Sequence, residues 1–175
     1  MPKTARDNRA VLIRVFRISL TLQADIKTEF DSGQVLHCLK DAFCFDYSRI
    51  LEDVPKPDIT LVCCGGGNLL VGTAAAMTLH CQTTCTVYGV EPETGKYSFA
   101  HNKKFVDEIL LVSDSEIISA VKHLYNAGLK VEPSGAAAFS ALMHHNVPDL
   151  SGKTVVVVIR GGNVSPEELV NVFKM

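Results

Sequence analysis

The chain has 175 residues, of which 47% are hydrophobic and 21% charged, and its formal net charge is −2. This length predicts one domain with a substantial core. Because the net charge is near zero and tryptophan is absent, we expect no nucleic-acid partner and no binding to an anionic membrane.

The first 48 residues form an N-terminal segment whose structure the sequence assigns poorly. Met1–Leu22 carries four arginines against one acidic residue, which is compatible with a mitochondrial transit peptide. The β-branched residues of Val11–Leu22 fit a strand equally well, and we favour a strand or a frayed segment. Further along, Gln34–Ala42 is compatible with a helix and Phe43–Tyr47 with a short strand.

Strands alternate with helices through residues 49–175, which we assign to one domain. The expected strands are Ile59–Cys64, Thr84–Gly89, Glu108–Val112 and Thr154–Ile159, and the expected helices are Leu69–His80, Asp114–Ala127, Pro133–His144 and a last one capped by Ser165–Glu168. Ser113–Glu116 reads as a capping box, and Glu91–Gly95 as a turn. The alternation predicts an α/β fold with an open, mostly parallel, twisted sheet and helices on both faces.

The glycine triplet Gly65–Gly67 follows the first of these strands and comes directly before a helix. Glycines allow consecutive backbone N–H groups to turn toward one point. The N-terminus of the helix adds further donors and the positive end of its dipole. The segment therefore predicts a phosphate site, and the alternative is a tight strand-to-helix turn that binds nothing.

Four segments, taken in order, resemble the fold-type II pyridoxal-phosphate (PLP) enzymes of the serine/threonine dehydratase (ammonia-lyase) and serine racemase family. The resemblance covers residues from about Arg49 to Val172. Its segments are Gly65–Gly67, Val87–Glu93, Val131–Leu142 and Gly152–Val164. It implies PLP as cofactor, a small amino-acid substrate in the intact family, and residues 49–175 as part of the PLP-binding domain.

The resemblance also implies which residues contact the cofactor. Gly65, Gly66, Gly67, Asn68 and Leu69 match the phosphate cradle. Asn68 stands where the family usually has a fourth glycine, and asparagine tolerates the left-handed conformation, so we expect the turn to survive.

Two further matches concern the cofactor ring. Glu132 matches a segment near the ring, although an acidic residue at a helix start needs no cofactor to explain it. Arg160 takes the place of a serine or cysteine that faces the ring nitrogen. An arginine there would weaken the ring as an electron sink, unless its side chain turns toward solvent.

A divalent-cation site is present in some family members. Glu91 matches its carboxylate, and the carbonyl of Gly95 matches a second ligand. The third position falls on Tyr97, which is a poor ligand for a hard cation. We therefore expect no metal binding.

Two parts of the family pattern are missing from this sequence. There is no Ser-Phe-Lys-x-Arg-Gly-like segment with the Schiff-base lysine, and no Ser-x-Gly-Asn-His-like loop for the substrate carboxylate. The stretch Ser98–Asp107 is also shorter than in the family. We therefore interpret the chain as a truncated or alternatively spliced member that binds PLP weakly or not at all and is inactive alone.

Two alternatives belong to other functional classes. One is a non-catalytic module that forms a homo- or hetero-oligomer with a full-length subunit. The other is a dinucleotide-binding domain. The glycines argue against it, because they are consecutive rather than spaced as G-x-G-x-x-G. The six cysteines contain no CxxC pair, which favours free thiols in a reducing compartment. We expect a cytoplasmic location, with the mitochondrion as the alternative.

Overall fold

The structure is a computed structural model and describes residues 12–18, 50–51, 54–80, 84–93 and 105–174, the first range for its backbone alone. The helix expected at Gln34–Ala42 and the strand expected at Phe43–Tyr47 lie outside these residues. No helix in the described ranges is long and apolar enough to cross a bilayer.

The described residues form one parallel sheet with helices on both faces, as expected. The elements are β1 (Leu12–Ile18), β2 (Ile59–Cys63), α1 (Asn68–His80), β3 (Thr86–Pro92), β4 (Glu108–Val112), α2 (Asp114–Asn126), α3 (Pro133–Met143), β5 (Thr154–Arg160) and α4 (Pro166–Lys174). The strand order is β1-β5-β2-β3-β4, and every neighbouring pair is parallel.

The centre of the sheet is built from β-branched side chains that are buried on both faces. The residues of β5 from Val155 to Ile159 are at most 1% exposed. Because side chains alternate along a strand, Val155 and Val157 pack with α2 and α3, whereas Val156 and Val158 pack with α1. The core therefore has two layers, one on each face of the sheet.

The strand β1 confirms the interpretation of Val11–Leu22 as containing a strand. Leu12–Ile18 pairs in parallel with the whole of β5, from Leu12 opposite Thr154 to Ile18 opposite Arg160. Residues 19–22 of that segment lie outside the described residues.

One element boundary was predicted wrongly. The third strand runs from Thr86 to Pro92 rather than from Thr84 to Gly89, so Glu91 is a strand residue and not the start of a turn. The reason is pairing with β4, which continues as far as Pro92 opposite Val112. The other strands and helices agree with expectation to within one residue at each end.

Candidate functional site

Three neighbouring strands end at the same edge of the sheet, because they are parallel. Their last residues are Cys63 in β2, Pro92 in β3 and Arg160 in β5. In open α/β sheets, ligand sites collect at this carboxyl edge. The predicted site residues that the structure describes lie at or next to this edge, on the last residues of strands, the loops that follow them and the helix starts.

The glycine triplet forms the turn from β2 into α1. Gly65 and Gly66 are exposed, and a Cβ built on either would meet no atom within 4 Å. Gly67 is buried and takes a φ of 82°, a conformation that L side chains rarely adopt. An open space therefore lies in front of two side-chain-free residues at the N-terminus of a 13-residue helix, an arrangement suited to an anion.

Asn68 does not take the left-handed position that a fourth glycine would allow. It is the first residue of α1, and the positive φ of the turn falls on Gly67 instead. The turn therefore survives the replacement, as expected, but for a different reason. Leu69 is partly buried and packs against both layers of the core, which anchors the start of the helix behind the loop.

Glu132 lies directly before α3, at its N-cap, but its side chain makes no capping hydrogen bond. Instead, the hydroxyl of Ser134 donates to Glu132 Oε1 over 2.9 Å. The backbone N–H of Glu132 donates to the carbonyl oxygen of Gly161 over 2.8 Å. This second bond ties the start of α3 to the residue that follows β5.

Arg160 is partly buried, and its charge interacts electrostatically with Cys63 on the neighbouring strand. Burial raises the pKa of the Cys63 thiol to about 11, with the Arg160 charge acting to lower it and the Glu132 charge acting to raise it. Cys63 is therefore a neutral thiol at neutral pH, and one positive and one negative side chain act on it in opposite directions. The structure thus brings the segments that carry Glu132 and Arg160 together at the end of β5.

A cavity of about 480 Å³ adjoins Glu132 on the side of α4. Its polar lining includes Glu132, Ser134, Asn163, Glu168 and Asn171. Among the described residues, the lining has two carboxylates and no lysine or arginine, so it does not suit a phosphate. An anion is therefore better accommodated at the Gly65–Gly67 loop.

The structure places Glu91 near the carboxyl edge, at the penultimate position of β3. The residue is 3% exposed, and its Oε1 has no hydrogen-bond partner among the residues that the structure describes. Gly95 lies outside the described residues. Within the described ranges, no group of three or more histidine, cysteine, aspartate or glutamate side chains is arranged to hold a metal.

Two lysines precede the strands that form the site, and both lie at the opposite edge of the sheet. Lys56 comes before β2, and Lys153 comes before β5. Since parallel strands share their direction, a lysine that precedes a strand is a strand length away from its carboxyl end. Neither lysine is placed to reach the glycine loop.

Sequence reasoning missed the contacts that join these segments. It identified Glu132 and Gly161 only within separate matching stretches, and it assigned no role to Cys63 beyond that of a free thiol. The position of Cys63 at the end of a buried strand, next to the glycines, was the available signal. Its charged neighbours come from elements distant in sequence, so only the fold reveals them.

Comparison with known proteins finds one matching sequence family and several similar enzymes. The sequence model of the family described as "Pyridoxal-phosphate dependent enzyme" matches residues 92–161. The chain is 35% identical over 152 positions to serine racemase of Schizosaccharomyces pombe, covering 68% of this chain and 46% of the relative. It is 32% identical over 150 positions to L-threo-3-hydroxyaspartate ammonia-lyase of Saccharomyces cerevisiae, covering 66% of this chain and 45% of the relative.

The fold is similar to that of a solved enzyme. Maize serine racemase superposes with a TM-score of 0.64 at 21% identity, over 78% of this chain and 52% of that structure. The chain spans just under half the length of the two curated relatives above.

Proposed function

Because the chain belongs to the fold-type II PLP-dependent enzymes, in the group of serine racemases and serine/threonine ammonia-lyases, we propose that it is part of an enzyme of amino-acid metabolism. The proposed substrate class is a small hydroxy-amino acid such as L-serine or L-threonine. Within that enzyme, this chain supplies the cradle for the cofactor phosphate and part of the surroundings of the cofactor ring.

The observation that carries this proposal is the open glycine loop at the N-terminus of α1. Gly65 and Gly66 leave the space before the helix free of side-chain atoms, so backbone N–H groups of the loop and first turn can approach a phosphate. The residues present fit the phosphate end of the cofactor. Gly65, Gly66, Gly67, Asn68 and Leu69 are the residues proposed to hold it.

The ring end of the site is modified in this chain. Bound PLP supplies an electron sink for bonds at the α-carbon of an amino acid. Arg160 can only donate hydrogen bonds and stays charged, so it would oppose protonation of a ring nitrogen near it. Glu132 and the neutral thiol of Cys63 lie in the same region. We propose that this environment holds PLP weakly and does not activate it.

We further propose that this 175-residue chain is a truncated or spliced form that does not turn over substrate by itself. The Schiff-base lysine segment of the family is absent from the sequence, and Lys56 and Lys153 lie at the wrong edge of the sheet. The alignment with serine racemase has 152 positions but takes in 68% of this chain. The relative therefore has residues at positions where this chain has none, which supports the shortened stretch at Ser98–Asp107.

The first test is binding of inorganic phosphate and PLP, measured by calorimetry on the full chain. Replacing Gly66 with valine should abolish both, because the valine side chain would fill the space that the anion needs. The fold should remain, since no atom of the described residues lies within 4 Å of a Cβ at Gly66. Ala127→Val is the matched control, because Ala127 is exposed at the far end of α2. Unchanged phosphate affinity in Gly66→Val would refute the cradle assignment.

The second test is turnover of L-serine and L-threonine, followed as release of 2-oxo acid. The chain with PLP should release no more 2-oxo acid than free PLP at the same concentration, because the sequence lacks the family's lysine segment and neither Lys56 nor Lys153 is placed to hold the cofactor. Borohydride reduction and mass mapping should find no single lysine modified. Turnover above the free-PLP control, with one lysine reduced onto PLP, would show that another lysine has taken this role.

A second candidate function is a non-catalytic module that pairs with a full-length subunit. The observation in its favour is Leu111, which is 44% exposed on β4 at one end of the described sheet order. Co-purification with a full-length relative, with a fall in that relative's activity, would support it. An increase in the fluorescence of NADH when the chain is added would instead indicate the dinucleotide-binding alternative.

A further inference from the structure

The start of α3 and the end of β5 approach so closely that two positions along them accommodate only glycine. A Cβ on Gly135 would overlap the carbonyl oxygen of Arg160 and lie 2.7 Å from its carbonyl carbon. A Cβ on Gly161 would overlap the side chain of Glu132 and lie 2.5 Å from its Oε1. Real Cβ atoms essentially never come so near another heavy atom.

These two contacts are reciprocal. Gly135 belongs to α3 and contacts the backbone of Arg160 at the end of β5. Gly161 follows β5 and contacts the side chain of Glu132 at the start of α3. The hydrogen bond from the Glu132 N–H to the Gly161 carbonyl, 2.8 Å long, lies between them. The two segments are therefore fixed in their separation by one contact with backbone and one with a side chain, and in their register by a hydrogen bond.

The contacts determine where the Glu132 carboxylate can lie. Gly161 leaves room for its Cγ, Cδ and Oε1, and the Ser134 hydroxyl donates to Oε1. The carbonyl group of Arg160 packs directly against Gly135, which fixes the backbone from which the Arg160 side chain extends. The two side chains of opposite charge thus leave this junction from adjoining points, and both act on Cys63.

We propose that Gly135 and Gly161 are positioning residues that set the location of the Glu132 carboxylate and the Arg160 guanidinium at the carboxyl edge of the sheet. The consequence for cofactor recognition rests on the function proposed above. There, the pair shapes the surroundings of the cofactor ring, whereas the glycine loop binds the phosphate.

The contact between Gly161 and the Glu132 side chain is tested by a double-mutant cycle in thermal unfolding. Gly161→Ala should lower the Tm by more than Gly128→Ala. Gly128 is the matched control because its φ of +81° is close to the +78° of Gly161 and a Cβ on it would meet nothing within 4 Å. In a Glu132→Ala background the atoms that overlap are removed, so Gly161→Ala should cost no more than Gly128→Ala.

The cycle has a defined opposite outcome. If Gly161→Ala lowers the Tm equally with and without the Glu132 side chain, the contact has no energetic weight and the proposal fails. Should Gly161→Ala be too unstable to measure, the Glu132→Ala/Gly161→Ala double variant is expected to fold. Failure of that double variant, alongside a folded Glu132→Ala, would also overturn the proposal.

The positioning role is tested with PLP and inorganic phosphate as separate probes. Relative to Gly128→Ala, Gly161→Ala should weaken PLP binding by about tenfold and shift the visible absorption spectrum of bound PLP. Its affinity for inorganic phosphate should stay unchanged, because the glycine loop is not altered. An equal loss for both probes would indicate general destabilisation and overturn the role. If the wild-type chain binds neither probe, the proposed function fails, and the unfolding cycle still decides the contact.

Discussion

At the scale of single residues, the site is defined more by what surrounds a side chain than by the side chain itself. Cys63 is adjacent to a glycine loop and a helix N-terminus, a location that often lowers a thiol pKa. Here burial dominates and raises the pKa to about 11. Cys63 is therefore a packing residue with an unreactive thiol, despite its position.

This raised pKa predicts a loss of stability in alkaline solution. The ordinary thiol value is 9.0 and the folded value about 11, so the folded chain holds its proton more tightly than the unfolded chain. The stabilisation that the protonated Cys63 thiol gives the folded state is complete below pH 9.0 and is lost as the pH rises through about 11. The total loss in the free energy of unfolding is roughly 2–3 kcal/mol. Urea unfolding of wild type and Cys63→Ala between pH 8 and 11 measures it.

The control in that experiment is the alanine variant itself, since it keeps every other titrating group. Its unfolding free energy should depend less on pH than that of the wild type over this interval. Parallel pH dependences for the two proteins would mean that the Cys63 thiol does not carry the effect.

The residues that the sequence could identify were those whose type alone restricts the chemistry. Three consecutive glycines before a helix indicate an anion site because only glycine leaves the backbone so accessible. The partners of Glu132 and Arg160 could not be found this way. Their relation depends on a close approach of α3 and β5, which no local pattern encodes.

At the scale of elements, two helices begin with the same capping arrangement but differ in what they bury. In α2, the Ser113 N–H donates to Glu116 Oε2 over 2.7 Å, and the Glu116 N–H donates back to the Ser113 hydroxyl. In α4, Ser165 and Glu168 make the same pair of bonds. α2 buries four residues, whereas α4 buries Leu169 alone.

This difference predicts unequal effects of removing the two caps. Ser113→Ala should lower the global free energy of unfolding by about 1 kcal/mol, because α2 is part of the main core layer. Ser165→Ala should mainly increase hydrogen exchange within α4, with a smaller change in global stability. Equal global losses in the two variants, measured by urea unfolding, would contradict this expectation.

The cap of α2 also has a pH dependence. The backbone hydrogen bond from Ser113 lowers the pKa of Glu116, so the carboxylate binds protons less readily when folded. Its stabilisation is present above the ordinary glutamate pKa and is lost as the pH falls through the lowered value. Alanine at position 113 would keep this backbone N–H, so the informative variant is Glu116→Gln. In urea unfolding, Glu116→Gln should cost less free energy in acid than at neutral pH.

The elements themselves were largely predictable, since apolar runs, caps and glycines mark their ends. The end of β3 was not, because Glu91-Pro92 has the composition of a turn. Pairing with β4 overrides that local preference and keeps both residues in the sheet. The parallel pairing of β1 with β5 was equally hidden, since it joins the two ends of the chain.

At the scale of the whole molecule, the described sheet order ends in β1 on one side and β4 on the other. Strand edges with free backbone groups recruit further strands. Leu111 of β4 is 44% exposed, which adds an apolar contribution to such pairing. The chain combines these features with just under half the length of its curated relatives.

We therefore expect the chain to be marginally stable and to self-associate. Leu111→Lys should raise the monomer fraction in sedimentation velocity, because a charge on an edge strand opposes pairing. Leu79→Lys is the control, since Leu79 is 74% exposed but lies on α1, away from the strand edge. A sharp cooperative melt of a monomeric wild type would exclude this behaviour.

The position of β5 has a consequence for how the protein is made. β5 is the last strand in the described chain order, yet it lies between β1 and β2. On a ribosome that adds 5–20 residues per second, the interval between completion of β1 and of β5 is roughly 7–28 s. During that time β1 has been synthesised but its partner strand has not. A nascent chain of this kind offers chaperones a long period in which to bind, and a stop codon before Thr154 would leave β1 without its partner strand.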